Sequence, residues 1–236
     1  MNGEQMQRIV ILTGAGLSAE SGLGTFRDVG GLWTKYDLED VATPQGFARN
    51  PALVHEFYNA RRANCLGATP NPAHAALARL QRAAPDRVTL LTQNVDDLLE
   101  RAGAPSVNHM HGELTRALCA ACGHRWAAPR QMSPSAPCPA CAAPATRPDI
   151  VWFGEMPYHM EQIDAALGAA DLFVAIGTSG NVYPAAGFVQ EAAFAGARTL
   201  ELNLEPSATV SLFDDARFGL ASTVVPEWVA EVLGDG

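Results

Sequence analysis

A short apolar run that stops abruptly on glycine sets the first limit on what this chain can fold into. Arg8–Thr13 (RIVILT) reads as a buried strand, and Gly14-Ala15-Gly16-Leu17-Ser18-Ala19 follows at once as G-x-G-x-x-A before a helical segment. Four more runs repeat the theme: Arg87–Thr92, Val107–His111, Asp171–Gly177 and Arg198–Leu204. Each is followed by a turn signal or a helical pattern. Asn50-Pro51 and Asn71-Pro72 each set an N-cap residue before a proline at the first helical position, ahead of Ala/Leu-rich segments. Strands alternating with helices imply an α/β protein built on a parallel sheet.

The glycine motif alone leaves two readings open. Backbone N–H groups at such a turn can cradle a pyrophosphate, or the glycines can serve only to make a tight strand-to-helix turn. A dehydrogenase of this topology needs a ribose-binding acid at the end of the next strand, about 20 residues on. Asp37 and Glu39 follow no strand pattern, which speaks against that topology. Glu205, at the end of the run Arg198–Leu204 and two residues after Asn203, is the better candidate.

Leu114–Arg147 breaks the alternation. It is rich in Cys, Pro and Ala and too poor in large apolar residues to build a core, so it needs a staple. Cys119-x2-Cys122 and Cys138-x2-Cys141, with fifteen residues between the pairs, have zinc-ribbon spacing. Four thiolates fill a tetrahedral Zn²⁺ and leave no position for water or substrate, so the expected ion is structural. His124 is a competing ligand by type, and Cys65, standing alone, reads as a small buried hydrophobe.

A formal net charge of -9 disfavours nucleic acid as a partner, because phosphate binding needs a cationic footprint. The N-terminal run carries Glu4 and Arg8 and breaks at Thr13, fitting neither a signal peptide nor a membrane span. A cytoplasmic, monomeric protein without a membrane partner is expected.

Gly14–Gly22 (GAGLSAESG) with Thr25-Phe26-Arg27-Asp28, then Thr92–Asp96 (TQNVD), then His111-Gly112, resembles the sirtuin signature in content and order. Asp149–Glu155 (DIVWFGE), Gly177-Thr178-Ser179, Asn203-Leu204-Glu205 and Ala221–Trp228 (ASTVVPEW) extend the likeness over nearly the whole chain. The resemblance implies a Rossmann-like NAD-binding domain from residues 1–34, 87–113 and 148–236. It also implies a small domain made of a helical insertion, 35–86, and the zinc ribbon, 114–147. NAD and an acyl-lysine protein or peptide would meet in the cleft between them. The implied reaction passes the acyl group to ADP-ribose and yields free lysine, nicotinamide and O-acyl-ADP-ribose.

By the same resemblance His111 is the general base and Asn94 its catalytic companion. An imidazole suits that task, since it titrates near pH 6.5. His109 lies two positions earlier, where strand alternation would aim both rings at one face; only the family's His-Gly pattern favours His111. Asn94 and Asp96 would hold the nicotinamide carboxamide, Gln93 its ribose, and Ala15 with Ser179 the phosphates. Gly14, Gly16, Ser18, Ala19, Glu20, Val95, Gly177, Thr178, Asn203, Leu204, Glu205 and Ala221 complete the implied NAD contacts. Thr25, Phe26, Arg27 and Trp33 fall in the family's cofactor loop. Val151, Phe153 and Gly154 would border the peptide channel, where an added strand reads few side chains. His55, His74 and His159 are assigned no chemistry.

Tyr58 and Arg61, one turn apart beside the apolar stripe Leu53, Val54 and Phe57, can face one pocket. A guanidinium fork binds a carboxylate bidentately and a phenol adds a hydrogen bond, a match for succinyl or malonyl groups. Tyr-x-x-Arg, with Ala42 in Val41-Ala42-Thr43-Pro44, resembles the desuccinylase and demalonylase branch of sirtuins. An ordinary deacetylase is the alternative.

Overall fold

A computed structural model describes residues 7–24 and 36–235. The first described element is β1 (Ile9–Thr13), whose five residues are all buried, and it turns at Gly14 into the short helix α1 (Ala15–Ala19). Asp37 caps α2 (Leu38–Val41), and Thr43 caps α3 (Pro44–Arg49). The expected caps are in place at the two longer helices. The Asn50 side chain accepts from Leu53 N–H at the start of α4 (Pro51–Gly67), and Asn71 accepts from Ala73 and His74 N–H at the start of α5 (Pro72–Ala83). Next come β2 (Val88–Thr92), α6 (Leu98–Arg101) and β3 (Val107–His109).

The cysteine-bearing segment forms β4 (Gly112–Cys119), β5 (Arg125–Ala127) and β6 (Thr146–Ile150), an antiparallel sheet in the order β5-β4-β6. The chain then returns through α7 (Met160–Gly168), β7 (Leu172–Ile176), α8 (Phe188–Phe194), β8 (Arg198–Asn203), β9 (Asp215–Phe218) and α9 (Ala221–Leu233).

The main sheet is parallel throughout and runs β3-β2-β1-β7-β8-β9. Counting only its own strands, that is the order 3-2-1-4-5-6 of a Rossmann sheet, and the direction of winding reverses between β1 and β7. Alternation along each strand feeds two layers. Ile9, Ile11, Val174, Ile176, Leu200 and Leu202 pack on Leu77 and Leu80 of α5 and on Val225 and Trp228 of α9. Val10, Leu12, Phe173 and Ala175 pack on Ile163 and Leu167 of α7 and on Phe188 and Val189 of α8. A third core joins Val41, Val54, Phe57 and Tyr58 to Leu114, Ile150 and Trp152, tying the helical insertion to the antiparallel sheet. Among the described residues no helix is long and apolar enough to cross a membrane.

Two expectations change. The strand read over Val107–His111 ends at His109, and a turn carries Met110 and His111. The edge strand β9 was not anticipated, because Asp215–Phe218 (DARF) is too short and too polar to show an apolar run.

Candidate active site at the carboxyl edge of the parallel sheet

In an open α/β sheet the crevice forms beyond the carboxyl ends of the strands where winding reverses. The sequence motifs converge there. Gly14–Gly16 follow β1, Gln93–Asp96 follow β2, His111 follows β3, Gly177–Ser179 follow β7, Asn203–Glu205 follow β8, and Ala221 begins α9 after β9. The first and fourth turns nearly touch. A Cβ added to Gly16 would lie 2.7 Å from Gly177 Cα, and one on Gly14 would lie 2.7 Å from the Gly177 carbonyl oxygen. Only glycine permits that approach, and Gly177 itself sits at φ +61°. The resulting backbone-lined crevice fits a dinucleotide, whose pyrophosphate must come close to main chain.

A continuous polar network underlies it. Asn94 Nδ2 donates to the Gly14 carbonyl at 3.0 Å and to Ser18 Oγ at 3.2 Å, while Ser18 Oγ donates to Asp96 Oδ2 at 3.0 Å. His74 Nδ1 accepts from Asn71 N–H at 3.2 Å, so the neutral ring carries its proton on Nε2, 3.3 Å from Ser18 Oγ. Ser18 thus accepts from His74 and Asn94 and turns its own proton toward Asp96. Burial pushes the His74 imidazole down to about 4, which keeps it neutral. Burial also raises the Asp96 carboxyl, against the opposing bonds from Leu98 N–H and Ser18. Sequence reasoning gave His74 no part in the site. Its only signal was its place three residues after the helix cap, in a capping box.

The two neighbouring histidines separate because β3 ends between them. His109 is buried, with Nε2 2.7 Å from Glu100 Oε1 and Nδ1 3.2 Å from the Asn94 carbonyl. Burial pulls its pKa down, but the Glu100 and Glu113 carboxylates and the Asn94 carbonyl together outweigh that and leave it raised. His111 is half-buried, and its Nδ1 lies 3.1 Å from the Gln93 carbonyl oxygen. A carbonyl only accepts, so Nδ1 carries the proton and the neutral ring presents a lone pair at Nε2. Burial holds the His111 imidazole below its ordinary value, against the smaller pull of the Gln93 carbonyl.

Beyond β7 and β8, Gln93 Nε2 donates to Thr178 Oγ1 at 3.0 Å, and Asn203 Nδ2 donates to the Thr178 carbonyl at 2.8 Å. Leu204 and Glu205 are exposed beside Asn203, and Ala221 is half-buried. Glu20 is turned elsewhere: its carboxylate accepts from the N–H and hydroxyl of Ser222 and ties α1 to the first turn of α9. Val95 packs on the third core, and its carbonyl accepts from Leu114 N–H. Ala19 is exposed at the end of α1. Thr25, Phe26, Arg27 and Trp33 lie outside the described residues.

Facing this edge, Val151 N–H donates to the His111 carbonyl and Phe153 N–H to the Ala42 carbonyl, each at 2.9 Å. Gly154 and Phe153 are exposed, and Ala42 is buried. Tyr58 is deeper than a simple pocket wall: it is 1% exposed and its hydroxyl accepts from Trp152 Nε1 at 3.0 Å. The Arg61 guanidinium lies 5.8 Å from the Tyr58 ring centre and 5.7 Å from that of Phe57. Burial raises the Tyr58 phenol and lowers Arg61, and the two groups partly offset each other's shift. The Asp96 carboxylate also favours the charged form of Arg61.

The four ribbon cysteines come together at the far end of β4 and β6. Their sulfurs all lie within 4.8 Å of one another, with Cys119–Cys141 at 3.7 Å and Cys122–Cys138 at 3.8 Å. Zinc–sulfur bonds of about 2.3 Å in a tetrahedron require sulfurs about 3.8 Å apart, so the set fits one Zn²⁺ with no open position. His124 stacks on Trp126 and is not part of the cluster.

The fold and this site define a Rossmann-type enzyme with a zinc-stapled insertion. The sequence profile described as "Sir2 family" matches residues 14–184. A Caulobacter vibrioides protein named NAD-dependent protein deacylase is 58% identical over 97% of this chain and 98% of its own length. A solved Sir2 homolog–NAD complex superimposes with a TM-score of 0.88 at 37% identity, covering 96% of this chain and 90% of that one. A Sir2 protein bound to acetylated peptide superimposes at 0.82 with 25% identity, covering 98% and 95%. The chain belongs to the Sir2, or sirtuin, family.

Proposed function

We propose that this protein removes acyl groups from protein lysines with consumption of NAD, and that it favours succinyl and malonyl over acetyl. The deacylase reading is supported by family membership and by the name of the Caulobacter relative. When bound, NAD supplies a sugar carbon from which nicotinamide departs and to whose ribose the acyl group passes. The chain's own residues do the rest. Asn94 and Asp96, held by Ser18, orient the carboxamide end, and Gln93 with Thr178 orients the ribose. His111, neutral at pH 7 and with Nε2 as its acceptor, takes a proton from a ribose hydroxyl. The backbone of Val151–Gly154 borders the acyl-lysine. Residues 35–86 and 114–147 act as one small domain around the core shared by Phe57, Tyr58 and Trp152, and the zinc only staples it.

The acidic preference is carried by one observation: the Arg61 guanidinium lies over the rings of Tyr58 and Phe57, 5.8 Å and 5.7 Å from their centres. A terminal carboxylate entering there would meet a cation and a phenol; an acetyl group has nothing to offer them. Arg61→Met tests this. It should lower kcat/KM for a succinyl-lysine peptide about 10- to 100-fold, the scale of a lost charge-assisted hydrogen bond, and leave deacetylation within about 3-fold. Equal loss on both substrates would remove the acidic-pocket reading and leave an ordinary deacetylase.

A further inference from the structure

Glu201 is a carboxylate placed where a sheet would ordinarily hold an apolar residue. It is 0% exposed in β8, paired with Ala175 of β7 and Ala216 of β9. Its neighbours Leu200 and Leu202 feed one apolar core. Burying a carboxylate is unfavourable unless its oxygens are satisfied, and here only one of them is. Oε1 accepts from Ser207 N–H at 2.9 Å and from Asn203 Nδ2 at 3.0 Å, while Oε2 has no hydrogen-bond partner among the described residues. A residue so costly to bury invites a reason beyond packing.

The reason lies in what Oε1 holds. The Asn203 amide that donates to Glu201 also donates to the Thr178 carbonyl at 2.8 Å, and Thr178 Oγ1 accepts from Gln93 at 3.0 Å. Ser207 lies in the turn after β8, and the next residue's N–H reaches the Ser179 carbonyl at 3.0 Å. One buried oxygen therefore pins the turn after β8 to the turn after β7, and through Gln93 to the turn after β2. These three turns make up the nucleotide side of the crevice.

We propose that Glu201 is a positioning residue for NAD: its carboxylate sets the turns 177–180 and 203–207 in the spacing that receives the nucleotide, without touching it. The inference rests on the proposed NAD-dependent activity. Its action is through reach and not through charge. Glu201→Asp keeps the charge but withdraws the carboxylate by one C–C bond, about 1.5 Å, too far to serve both donors. Glu201→Gln loses the charge but keeps the accepting oxygen, and an amide turned the other way would set N–H against N–H.

The test is steady-state kinetics of both variants on an acyl-lysine peptide, with NAD binding to each measured by calorimetry and folding checked by circular dichroism. Glu201→Asp should raise the KM and Kd for NAD about 10-fold, with kcat at saturating NAD and the KM for peptide within about 2-fold. Glu201→Gln should bind NAD within about 3-fold of the parent protein. Unchanged NAD affinity in folded Glu201→Asp would overturn the proposal, as would a Gln variant as impaired as the Asp one, or equal losses in kcat and peptide KM. If the parent protein itself neither binds nor consumes NAD, it is the proposed function that fails.

Discussion

The indole N–H of Trp152 donates to the hydroxyl oxygen of Tyr58 across 3.0 Å, between side chains that are each at most 2% exposed. Trp152 is fixed in turn: the Arg147 guanidinium stacks 3.5 Å over its ring and pairs bidentately with Glu155, which also accepts from Trp152 N–H. Because one lone pair of the phenol is taken by the indole, the phenolic proton points away from Trp152. In the proposed function it is the proton offered to an acidic acyl group. Trp152→Phe keeps a ring under Arg147 but frees the hydroxyl to turn. Desuccinylation should fall about 5-fold in kcat/KM, the size of one modest hydrogen bond, with deacetylation unchanged. Parallel kinetics on the two peptides check this; an equal fall on both would mean that Trp152 serves only the core.

The pH profile distinguishes the two histidines of the His109–His111 segment. A general base works when neutral, so activity is lost as pH falls through its pKa. Burial places that pKa for His111 below 6.5, whereas the Glu100 and Glu113 carboxylates and the Asn94 carbonyl together place that of His109 above it. The acid limb of kcat/KM should therefore lie below pH 6.5. A limb centred above 6.5 would point to His109 instead.

His74 makes stability pH-dependent. Its folded-state pKa, about 4, lies below the ordinary value of 6.5, so the unfolded chain binds the extra proton between those two values and stability falls as pH drops through that window. Between pH 7 and pH 5 the cost is about 2 kcal/mol for this one fully buried ring. Urea unfolding at both pH values should show that slope in the parent protein and a shallower one in His74→Gln. An identical slope in the variant would assign the acid lability elsewhere.

Zinc removal should act locally. Structural zinc contributes on the order of 10 kcal/mol to small metal-stapled units, and the segment 114–147 has little apolar core of its own. Chelation, or Cys138→Ser, should strip hydrogen-exchange protection from β4, β5 and β6 while β1 and β7 keep theirs. Retained protection in β5 would mean that packing alone holds the ribbon.

Where the sequence was legible, a single physical rule sufficed. The five apolar runs ended on turn signals, so β1, β2, β7 and β8 fell within a residue of their expected limits. Paired cysteines announced a tetrahedral set because four sulfurs at that spacing have few other uses. The motif residues Gly14–Gly16, Gln93–Asp96, His111, Gly177–Ser179 and Asn203–Glu205 also gathered at one sheet edge, because each group followed a strand. What was hidden depended on contacts between distant segments. Alternation could not separate His109 from His111, since nothing in the sequence marks the end of β3 between them. Glu20 matched the motif yet bonds Ser222, 202 positions away. Nothing in the sequence showed that Trp152 closes over Tyr58 or that Glu201 is fully buried.

The most direct test incubates the purified protein with one peptide carrying acetyl-, malonyl- or succinyl-lysine, with and without NAD, and follows peptide mass together with nicotinamide release. Acyl removal should require NAD, release nicotinamide with each turnover, run faster on the acidic acyl groups and vanish in His111→Ala. Deacylation without NAD, or full activity in the His111 variant, would contradict the account.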